Sequence, residues 1–599
     1  MNGSIVSWLV LAISTISTFS GIARASASAQ CLGVDQRSLL LELRNSLVFN
    51  ASESSKLVQW DQGADSWSGV TCEDGLIVGL DLSDESIFGG IDDSSSLFRL
   101  KFLQHLNLAF NDFNSSAVPS GLANLSRLVH LDLSYTGFAG PILVELLHLT
   151  QLRELYLDGV NMSAEGSGWC GALSSLKLEV LSMSYCSLSG PIDASLMSLA
   201  NLSVIQLDGN NLSTTLPSFL ANFSSLRRLS LSDCGLQGEF PQEVFQVQTL
   251  QTLDLSSNYL LQVSLPVFPV DSSLETLILG NTNISGRIPD SIGNLRKLSR
   301  LELFNCHLSG SIPSSMENLL ELTYLELSWN NLNGSIPPFG ALRNLNEIYI
   351  SNNSLTGQIT SVGWEDLLNL EILDLQDNSL EGDIPPALFT LPRLIEISLS
   401  SNTFSGELII SPNVTSYQLD SLDLGGNLLQ GSIPATIFEL QGLRFLSLSS
   451  NNFSGSMNID VLQGLGNLTY LDLSYSGLSI NAMASAYVVA SSFPEFAIVM
   501  LASCQLRILP QFLANQSKLV SLDLSHNYLQ GEIPRWIWTL EKLSSLNLSS
   551  NFFEDLEIAP HNLTSIIRLP PHLLLPQILL PQSPFDRLLV DGFDAEQIW

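Results

Sequence analysis

A repeating pattern of leucines constrains this 599-residue chain more than any other feature. The pattern is L-x-x-L-x-L-x-x-N, as at Leu322, Leu325, Leu327 and Asn330. Twenty copies follow one another from Ile77 onward, with a mean period of about 24.5 residues. A single copy of this length cannot bury its own leucines, so successive copies must stack and share one core. The chain is therefore predicted to be a solenoid and not a series of separate globular domains.

The chemistry of one copy predicts its local structure. Leucines that alternate with variable residues form a short strand, whose leucines point inward and whose intervening residues point outward. The Asn that follows turns the chain, and its amide bonds the backbone of neighbouring coils. Asn occupies eleven of the twenty positions, and Cys186, Cys234, Cys306 and Cys504 occupy four more as buried structural thiols. The predicted fold class is an α/β repeat solenoid, a right-handed leucine-rich-repeat superhelix with a parallel β-sheet on its concave face and a helical N-terminal cap.

Four segments are predicted along the chain. They are a signal peptide at 1–29, an N-terminal cap at 30–76, about twenty repeats at 77–564 and a non-repeat tail at 565–599. The signal is indicated by an apolar run that ends in small residues suited to cleavage. In the cap, leucines form one helical stripe that Trp60 and Trp67 help to cover.

Composition and motifs exclude several classes of function. The chain has 24 Lys and Arg against 58 Asp and Glu, a net charge of −34, so it would repel nucleic acid and anionic membranes. It carries no hydrolase elbow, metalloprotease pair, phosphate loop or kinase signature, so we predict no enzyme activity and no cofactor. No apolar stretch after the signal is long enough to span a membrane.

Motifs beside the repeats point to a known family. Six of the copies continue G-x-I-P after the strand, as in Gly286-Arg287-Ile288-Pro289, and the cap carries Trp67-Ser68-Gly69-Val70-Thr71-Cys72. These motifs resemble those of plant leucine-rich-repeat receptor-like proteins, in particular the Verticillium-wilt-resistance type. The resemblance implies an extracellular receptor without a kinase, which binds a protein or peptide ligand on the concave face. It further implies a role in plant defence signalling together with a co-receptor kinase, at the cell surface or in the apoplast.

Two departures from the family pattern bear on this expectation. Family members carry a Cys pair before the tryptophan motif, whereas Ala64 and Asp65 stand there, and a Cys31–Cys72 disulfide is one alternative for the two cysteines that remain. Family members also continue into a C-terminal cap and a membrane span. Here the pattern stops near Phe553, which implies truncation before both.

Two further interpretations stay open at this point. The chain resembles secreted inhibitors of microbial wall-degrading enzymes, the polygalacturonase inhibitors, in its repeat class and concave binding face. Those inhibitors have about half as many repeats and a Cys-stapled C-terminal cap. The other interpretation is a non-functional truncated copy.

Exposed aromatic residues give the candidate ligand site, because apolar area left in water is wasted unless a partner covers it. The first set is expected on outward strand positions of adjacent coils and combines aromatic anchors with one Arg, the mixture that dominates interface energetics. Its members are Arg300, Phe304, Tyr324, Trp329 and Tyr349. A second set, also expected on outward strand positions, consists of Tyr135, Tyr156 and Tyr185.

Charged residues between the strand leucines give two further hypotheses. The acidic ones form a broken lane, which is either the habitual solvated residue of the repeat or a device that steers basic ligands. The lane consists of Asp81, Asp132, Asp254, Glu302, Glu326, Asp374, Asp423, Asp472 and Asp523. His105 and His130 occupy equivalent positions in successive coils and are interpreted as solvated residues, with a pH-sensitive patch or a metal site as the alternatives.

Sixteen N-x-S/T sequons follow the signal and predict a heavily glycosylated product. The acceptors are Asn50, Asn114, Asn124, Asn161, Asn201, Asn211, Asn222, Asn283, Asn333, Asn352, Asn413, Asn452, Asn467, Asn515, Asn547 and Asn562. Asn547 lies between strand leucines, so its glycan would cover the concave face near the last repeat.

Overall fold

A computed structural model describes residues 34–60, 67–140, 146–162, 168–410, 418–482 and 493–556. These residues divide into two compact units. The first contains the described residues up to 162 together with 175–178, and the second contains 168–174 and the described residues from 179 onward. The predicted signal and tail lie outside the described residues, as does Cys31.

The first unit begins with a helix and continues into short strands. The helix spans Val34–Ser46 and buries Leu40 and Leu43 completely, while Trp60 and Trp67 are buried and stack with their ring centroids 5.2 Å apart. The strands are Val48–Phe49, Val70–Glu73, Leu76–Asp81, Ile87–Gly89, His105–Asn107, His130–Asp132 and Glu154–Tyr156. The 3-10 helices are Leu57–Gln59, Ser96–Arg99 and Ser120–Asn124. Four of these strands form one parallel ladder: Leu76–Asp81, His105–Asn107, His130–Asp132 and Glu154–Tyr156.

Glu85 fastens the cap to the first coil. It stands where most later coils have Asn, and its side chain is fully buried. Its carboxylate accepts hydrogen bonds from the Ser55 hydroxyl at 2.9 Å and from the backbone N–H groups of Lys56 and Leu57 at 3.0 and 3.1 Å. Burial by itself would raise the pKa of Glu85, but these bonds and one from Ser54 hold it below its ordinary value.

The second unit contains a parallel ladder of three-residue strands, one in each coil. Its α-helix is Gly168–Leu173. The ladder strands are Val180–Ser182, Val204–Gln206, Arg228–Ser230, Thr252–Asp254, Thr276–Ile278, Arg300–Glu302, Tyr324–Glu326, Glu347–Tyr349, Ile372–Asp374, Glu396–Ser398, Ser421–Asp423, Phe445–Ser447, Tyr470–Asp472, Ile498–Met500, Ser521–Asp523 and Ser545–Asn547. Each middle residue, such as Leu301, pairs in register with the middle residue of the next coil, such as Leu325. Both of these leucines are completely buried.

A second set of parallel strands, which the sequence pattern does not predict, follows the turn in most coils of the second unit. The segment after Asn330 is extended, buries Leu332 and ends at Gly334, whose φ of 77° is in the left-handed region that favours glycine. These strands are Gln237–Glu239, Leu260–Val263, Asn283–Gly286, His307–Gly310, Asn331–Gly334, Ser354–Gln358, Ser379–Gly382, Thr403–Glu407, Leu428–Gly431, Asn452–Phe453, Ser456–Asn458, Ser479–Asn481, Gln530–Ile533 and Phe552–Leu556.

Short 3-10 helices close most coils of the second unit. They are Ala194–Ser198, Ser218–Asn222, Gln242–Gln246, Asp290–Asn294, Ser314–Asn318, Trp364–Asp366, Pro386–Thr390, Ala435–Glu439, Ile459–Gly464, Gln511–Asn515 and Arg535–Thr539. Many of them follow the proline of the G-x-I-P motif, as after Pro289 and Pro313. These prolines are the N-cap residues, and their φ values of −74° and −70° are close to the value that the proline ring imposes.

Asn side chains hold successive coils together, as the sequence predicts. The Asn330 amide donates to the carbonyls of Leu303 and Leu327 at 2.7 and 3.0 Å, and its oxygen accepts from the N–H of Leu308 at 3.0 Å. One side chain thus satisfies backbone groups that the turns would leave buried and unpaired. The predicted α/β leucine-rich-repeat fold class is confirmed.

Cysteines at the same position also bond the preceding coil. The thiol of Cys234 lies 3.1 Å from the carbonyl of Leu207, and that of Cys504 lies 3.2 Å from the carbonyl of Leu473. Cys186, Cys234, Cys306, Cys504 and Cys170 are all buried, and none of these five takes part in a disulfide. Burial raises the pKa of Cys234 and of Cys504 to about 12, so neither thiol ionises near neutral pH.

Candidate functional site

The candidate site lies on what we call the strand face, formed by the first and third residues of each ladder strand. These residues point away from the core, because the middle residue between them points inward. In the strand Arg300–Glu302, for example, Leu301 is completely buried while Arg300 and Glu302 are half-buried. The strand face is the part of each coil whose side chains can vary without disturbing the leucine core.

Three members of the predicted ligand set meet on adjacent coils. The Arg300 guanidinium carbon lies 3.8 Å from the centroid of the Tyr324 ring, a cation–π contact. The Tyr324 and Tyr349 rings lie 5.7 Å apart. Arg300 also bonds Glu302, and the Tyr349 hydroxyl donates to Glu347 at 2.9 Å. We call Arg300, Tyr324 and Tyr349 the central cluster.

The other two members of that set do not lie on strands, contrary to the expectation from sequence. Phe304 follows its strand by two residues and lies against Gly280 of the preceding coil, where an added Cβ would come within 2.3 Å of the ring. Trp329 lies in the turn before Asn330, with a φ of 57° and an exposed fraction of 60%. Its side chain projects from the turn because Asn330 itself must point inward to bond the backbone.

The acidic lane is built into the turns. In eight of its nine members a carboxylate oxygen accepts a hydrogen bond from the backbone N–H two residues later, as in Asp254 with Ser256 at 3.0 Å and Glu326 with Ser328 at 2.8 Å. Glu302 is the exception and pairs with Arg300 instead. This bonding favours the structural reading of the lane over the steering one.

Burial and mutual repulsion alter the acidity of the lane. Burial raises the pKa of Asp254 to about 7, and the nearby charge of Asp208 adds to the shift. Burial also raises the pKa of Glu326 to about 7 and that of Asp374 to about 6, against the opposing effect of their turn hydrogen bonds. The pKa of Tyr324 is also raised, mainly by burial and secondly by the negative charge of the neighbouring Glu302. A part of the lane is therefore neutral in mildly acidic solution.

The strand face of the first unit carries histidines. His105 and His130 lie side by side with ring centroids 6.0 Å apart, and His130 Nδ1 lies 2.8 Å from the Glu154 carboxylate on the next coil. His130 is 7% exposed, so the interpretation of both histidines as solvated residues is wrong for His130. Burial and then the neighbouring His130 lower the pKa of His105. No group of three metal-ligating side chains comes together in the described part of the chain.

The second predicted aromatic set does not form one cluster. Tyr156 is on a strand of the first unit, with its ring 5.3 Å from that of His130. Tyr135 lies in a turn of the same unit, where it stacks on Phe110 at 5.4 Å and is 45% exposed. Tyr185 belongs to the second unit and lies in a turn against Gly209. The expectation of outward strand positions is thus wrong for Tyr135 and Tyr185.

Sequence reasoning missed a second aromatic pair on the strand face. Phe445 and Tyr470 occupy the first positions of neighbouring strands and stack with ring centroids 4.1 Å apart. Tyr470 stands in the sequence Leu-Thr-Tyr-Leu-Asp-Leu, and Tyr324 stands in Leu-Thr-Tyr-Leu-Glu-Leu. The same signal that identifies Tyr324 would therefore have found this pair.

Most predicted glycosylation acceptors in the described residues are exposed, and three of them are half-buried: Asn283, Asn352 and Asn547. Asn547 lies on a ladder strand and its amide donates to Asp523 at 3.0 Å. Asn413 and Asn562 lie outside the described residues. Cys72 is disulfide-bonded. No helix in the described ranges is long and apolar enough to cross a membrane.

Comparison with known proteins supports the repeat assignment. The family described as a leucine-rich repeat region matches residues 179–364 and 272–508, and a second leucine-rich-repeat family matches 497–553. Receptor-like protein 6 of Arabidopsis thaliana is 35% identical over 152 residues, which is 22% of this chain and 15% of that protein. Receptor-like protein 7 of the same plant is 36% identical over 146 residues, 24% of this chain and 14% of that protein. The matched segments therefore span about one seventh of these relatives.

Solved structures give a similar result over more of the chain. The Arabidopsis receptor kinase HAESA, in complex with the peptide hormone IDA and the co-receptor SERK1, superposes with a TM-score of 0.71 at 28% identity. The superposition covers 86% of this chain and 94% of that one. The plant peptide hormone receptor RGFR1, in complex with RGF2, superposes with a TM-score of 0.59 at 28% identity over 77% of this chain and 76% of that one. The leucine-rich-repeat family match and the receptor-like relatives agree with the prediction that this chain is not an enzyme.

Proposed function

Because the chain belongs to the leucine-rich-repeat family, we propose that it is the ligand-binding ectodomain of a plant receptor-like protein. It would act outside the cell, bind a protein or peptide ligand on its strand face and signal in defence together with a co-receptor kinase. The relatives are receptor-like proteins, and the two superposed structures are a receptor kinase with a peptide hormone and a co-receptor, and a peptide hormone receptor with RGF2. The defence role rests on the resemblance of the cap and repeat motifs.

The central cluster is the observation that carries the binding proposal. Arg300, Tyr324 and Tyr349 bring one cation and two half-buried rings onto three consecutive coils of the strand face. Trp329 adds a ring that is 60% exposed, in the turn that follows the strand of Tyr324. Arg, Tyr and Trp are the residues that most often carry the binding energy of an interface. These positions are free to make such contacts, because the leucine core does not use their side chains.

The test is to compare binding by matched variants. Peptides that bind the secreted chain are selected from a random peptide library, and their affinities are measured by calorimetry for Tyr324→Ala and Trp329→Ala. Each substitution is expected to weaken binding by more than about 1 kcal/mol, a factor of about five. The controls are Tyr470→Ala, at the same strand position as Tyr324, and Tyr475→Ala, at the same turn position as Trp329. Equal losses in variants and controls, or no loss in any of them, would refute the site.

Export and glycosylation are part of the same proposal. We propose that the predicted sequon acceptors carry N-glycans after secretion, and that a glycan on Asn547, which lies on a ladder strand, covers the strand face near the last repeat. Mass spectrometry of the secreted protein before and after enzymatic deglycosylation tests both statements. An unmodified Asn547, or the absence of any mass change, would contradict them.

A further inference from the structure

Large apolar side chains are exposed on some of the strands that follow the turns. Three of them have a further described coil after them: Phe88, Leu260 and Leu428, with exposed fractions of 48%, 67% and 57%. In each case that next coil carries an N-x-S sequon, and the acceptors are Asn114, Asn283 and Asn452, in that order. A fourth such residue, Phe552, lies in the last described coil and stacks on Tyr528 with ring centroids 6.2 Å apart. Single exposed apolar residues are common on protein surfaces, so the sequons beside them carry the argument and not the exposure.

Strand pairing places Asn283 next to the exposed Leu260. Asn283 pairs in register with Gln262 of the preceding coil. Leu260 lies two residues before Gln262 and points to the same outward side, because the buried Leu261 between them points inward. Neighbouring strands are about 4.8 Å apart and rise about 3.3 Å per residue, so Asn283 and Leu260 lie about 8 Å apart along the strand surface. A chain of sugars attached to Asn283 therefore reaches Leu260.

The same arrangement recurs later in the second unit. Asn452 pairs with Gln430, and Leu428 lies two residues before Gln430 on the outward side. The sequon acceptor Asn211 has the same pairing with its preceding coil, but the residue at the equivalent place there is Ser187. Asn211 therefore shares the geometry without the apolar neighbour, and it provides a matched control.

In the first unit a hydrogen bond joins the acceptor to the apolar residue. The Asn114 side-chain amide donates to the backbone carbonyl of Phe88 at 3.2 Å, and both side chains are exposed. An N-glycan replaces only one of the two amide hydrogens, so the other can keep this bond. The first sugar on Asn114 is then held next to Phe88.

We propose that the N-glycans on Asn114, Asn283 and Asn452 pack on the exposed apolar side chain of the preceding coil. One face of an N-acetylglucosamine ring presents C–H groups, which pack on a leucine and are attracted to the negative face of an aromatic ring. Such packing removes apolar area from water. A protein partner would instead need a continuous apolar patch, whereas Leu260 and Leu428 are seven coils apart. The inference rests on the glycosylation proposed above, and it goes further by assigning three glycans a binding surface on the protein itself.

The experiment is hydroxyl-radical footprinting of the full secreted chain, in which mass spectrometry measures the exposure of each side chain. Ser285→Ala removes the sequon of Asn283 but keeps the Asn, and it changes only an exposed side chain. We expect it to raise the labelling of Leu260 by a factor of about two, because a sugar on one side of the leucine removes about half of its exposed area from water. Labelling of Leu428 should not change in this variant. Ser454→Ala, which removes the sequon of the later coil, should have the reverse effect.

The control is Ser213→Ala, which removes the glycan of Asn211 and should leave the labelling of both leucines unchanged. Mass spectrometry of the same samples shows whether each acceptor carries a glycan. A glycan on Asn283 together with equal labelling of Leu260 in the two chains would overturn this inference and leave the proposed glycosylation intact. An unmodified Asn283 would overturn both. A rise in Leu260 labelling in the control as large as that in Ser285→Ala would also overturn the inference, because the effect would not be local.

The corresponding variant in the first unit is Ser116→Ala, which removes the sequon of Asn114. It keeps the Asn114 amide, so the hydrogen bond to the Phe88 carbonyl is unaffected by the substitution itself. Labelling of the Phe88 ring should rise in this variant. Equal labelling of Phe88 with and without the glycan would overturn the packing proposed for this unit.

Discussion

The carboxylates of the two units differ in acidity, and the difference follows from the groups that surround them. In the first unit a hydrogen bond with His130 holds the pKa of Glu154 below its ordinary value, and the bonds to Glu85 outweigh the effect of its burial. In the second unit burial raises the pKa of Asp254, Glu326 and Asp374. The pKa values differ because the neighbouring groups differ. Glu85 and Glu154 accept hydrogen bonds from several donors and from a histidine, whereas the carboxylates of the second unit lie near other carboxylates. Asp132, whose burial raises its pKa, is the exception in the first unit.

In both units the residues that stabilise the coil are different from the residues that carry charges and rings on the strand face. Inward leucines are the same in both units, whereas the strand face carries histidines and Glu154 in one and the central cluster in the other. A substitution of an inward leucine should therefore have the same effect in either unit, while the effect of a substitution on the strand face should depend on its partners.

The largest expected effect is the loss of an inward leucine. Leu131 in the first unit and Leu325 in the second are both 0% exposed. Leu131→Ala and Leu325→Ala should each lower the local free energy of unfolding by about 2–5 kcal/mol, through lost burial and the cavity that remains. Hydrogen exchange of the strand amides around each site measures this cost. Costs that differ by more than about 2 kcal/mol would show that the units do not share one core geometry.

Removal of the Glu85 carboxylate should have the next largest effect, confined to the first unit. Glu85→Ala leaves the N–H groups of Lys56 and Leu57 without their acceptor, which should cost about 1.5–3 kcal/mol. Hydrogen exchange at these two amides is the measurement. Glu85→Gln keeps one acceptor oxygen and should lose less. An unchanged exchange rate at Leu57 in the Ala variant would show that Glu85 does not fasten the cap.

The sequence predicts the inward half of each coil well. The leucine spacing identifies the ladder strands, and the Asn and Cys positions identify the side chains that bond neighbouring coils, as Asn330 and Cys234 show. These residues repeat because every coil must bury its leucines and supply partners for the backbone groups that its turn buries. The second set of strands was missed because its hydrophobic signal is a single residue per coil, such as Leu332.

The outward half was harder to predict, for a geometric reason. The leucine spacing identifies the outward residues but does not show at which residue each strand ends. It therefore predicts strand positions for Trp329 and Tyr135, whereas both lie in turns and have positive φ. The burial of His130 depends on Glu154, which lies one coil away and 24 residues later. Because the two partners are a whole repeat apart in the sequence, a pattern of neighbouring residues does not predict that they pair.

Stability in the second unit should rise as the pH falls from about 7 to about 5. The folded pKa of Asp254 is about 7 against an ordinary value of 3.8, so its contribution is full below 3.8 and is lost as the pH rises through 7. The slope is at most about 1.4 kcal/mol per pH unit for one proton. Hydrogen exchange of the strand amides around Asp254 at the two pH values measures it, after correction for the intrinsic rate.

Asp254→Asn is the matched control for this pH dependence. It keeps the oxygen that accepts from Ser256 but removes the charge, so the variant should be stabilised near neutral pH and little changed near pH 5. In the first unit the direction is opposite. The lowered pKa of Glu85 gives stability that is present above its unfolded value of 4.5 and lost as the pH falls through the folded one. If the stability around Asp254 and around Glu85 changed in the same direction with pH, the opposite behaviour of the two units would be contradicted.

The smallest expected effect is the coupling between Arg300 and Tyr324 in the absence of ligand. A guanidinium 3.8 Å from a ring centroid at a half-exposed site should contribute about 0.5–1 kcal/mol, measured by a double-mutant cycle of Arg300→Ala and Tyr324→Ala in chemical denaturation. Arg300→Lys keeps the charge but loses the planar contact and should recover less than half of the coupling. The exposed pair of Arg343 and Asp366, whose atoms are 3.4 Å apart, should give a coupling near zero in the same experiment. Since neither pair touches the leucine core, a coupling in the Arg343 pair as large as that in the central cluster would mean that the cluster is an ordinary surface contact and not a preorganised anchor for a ligand.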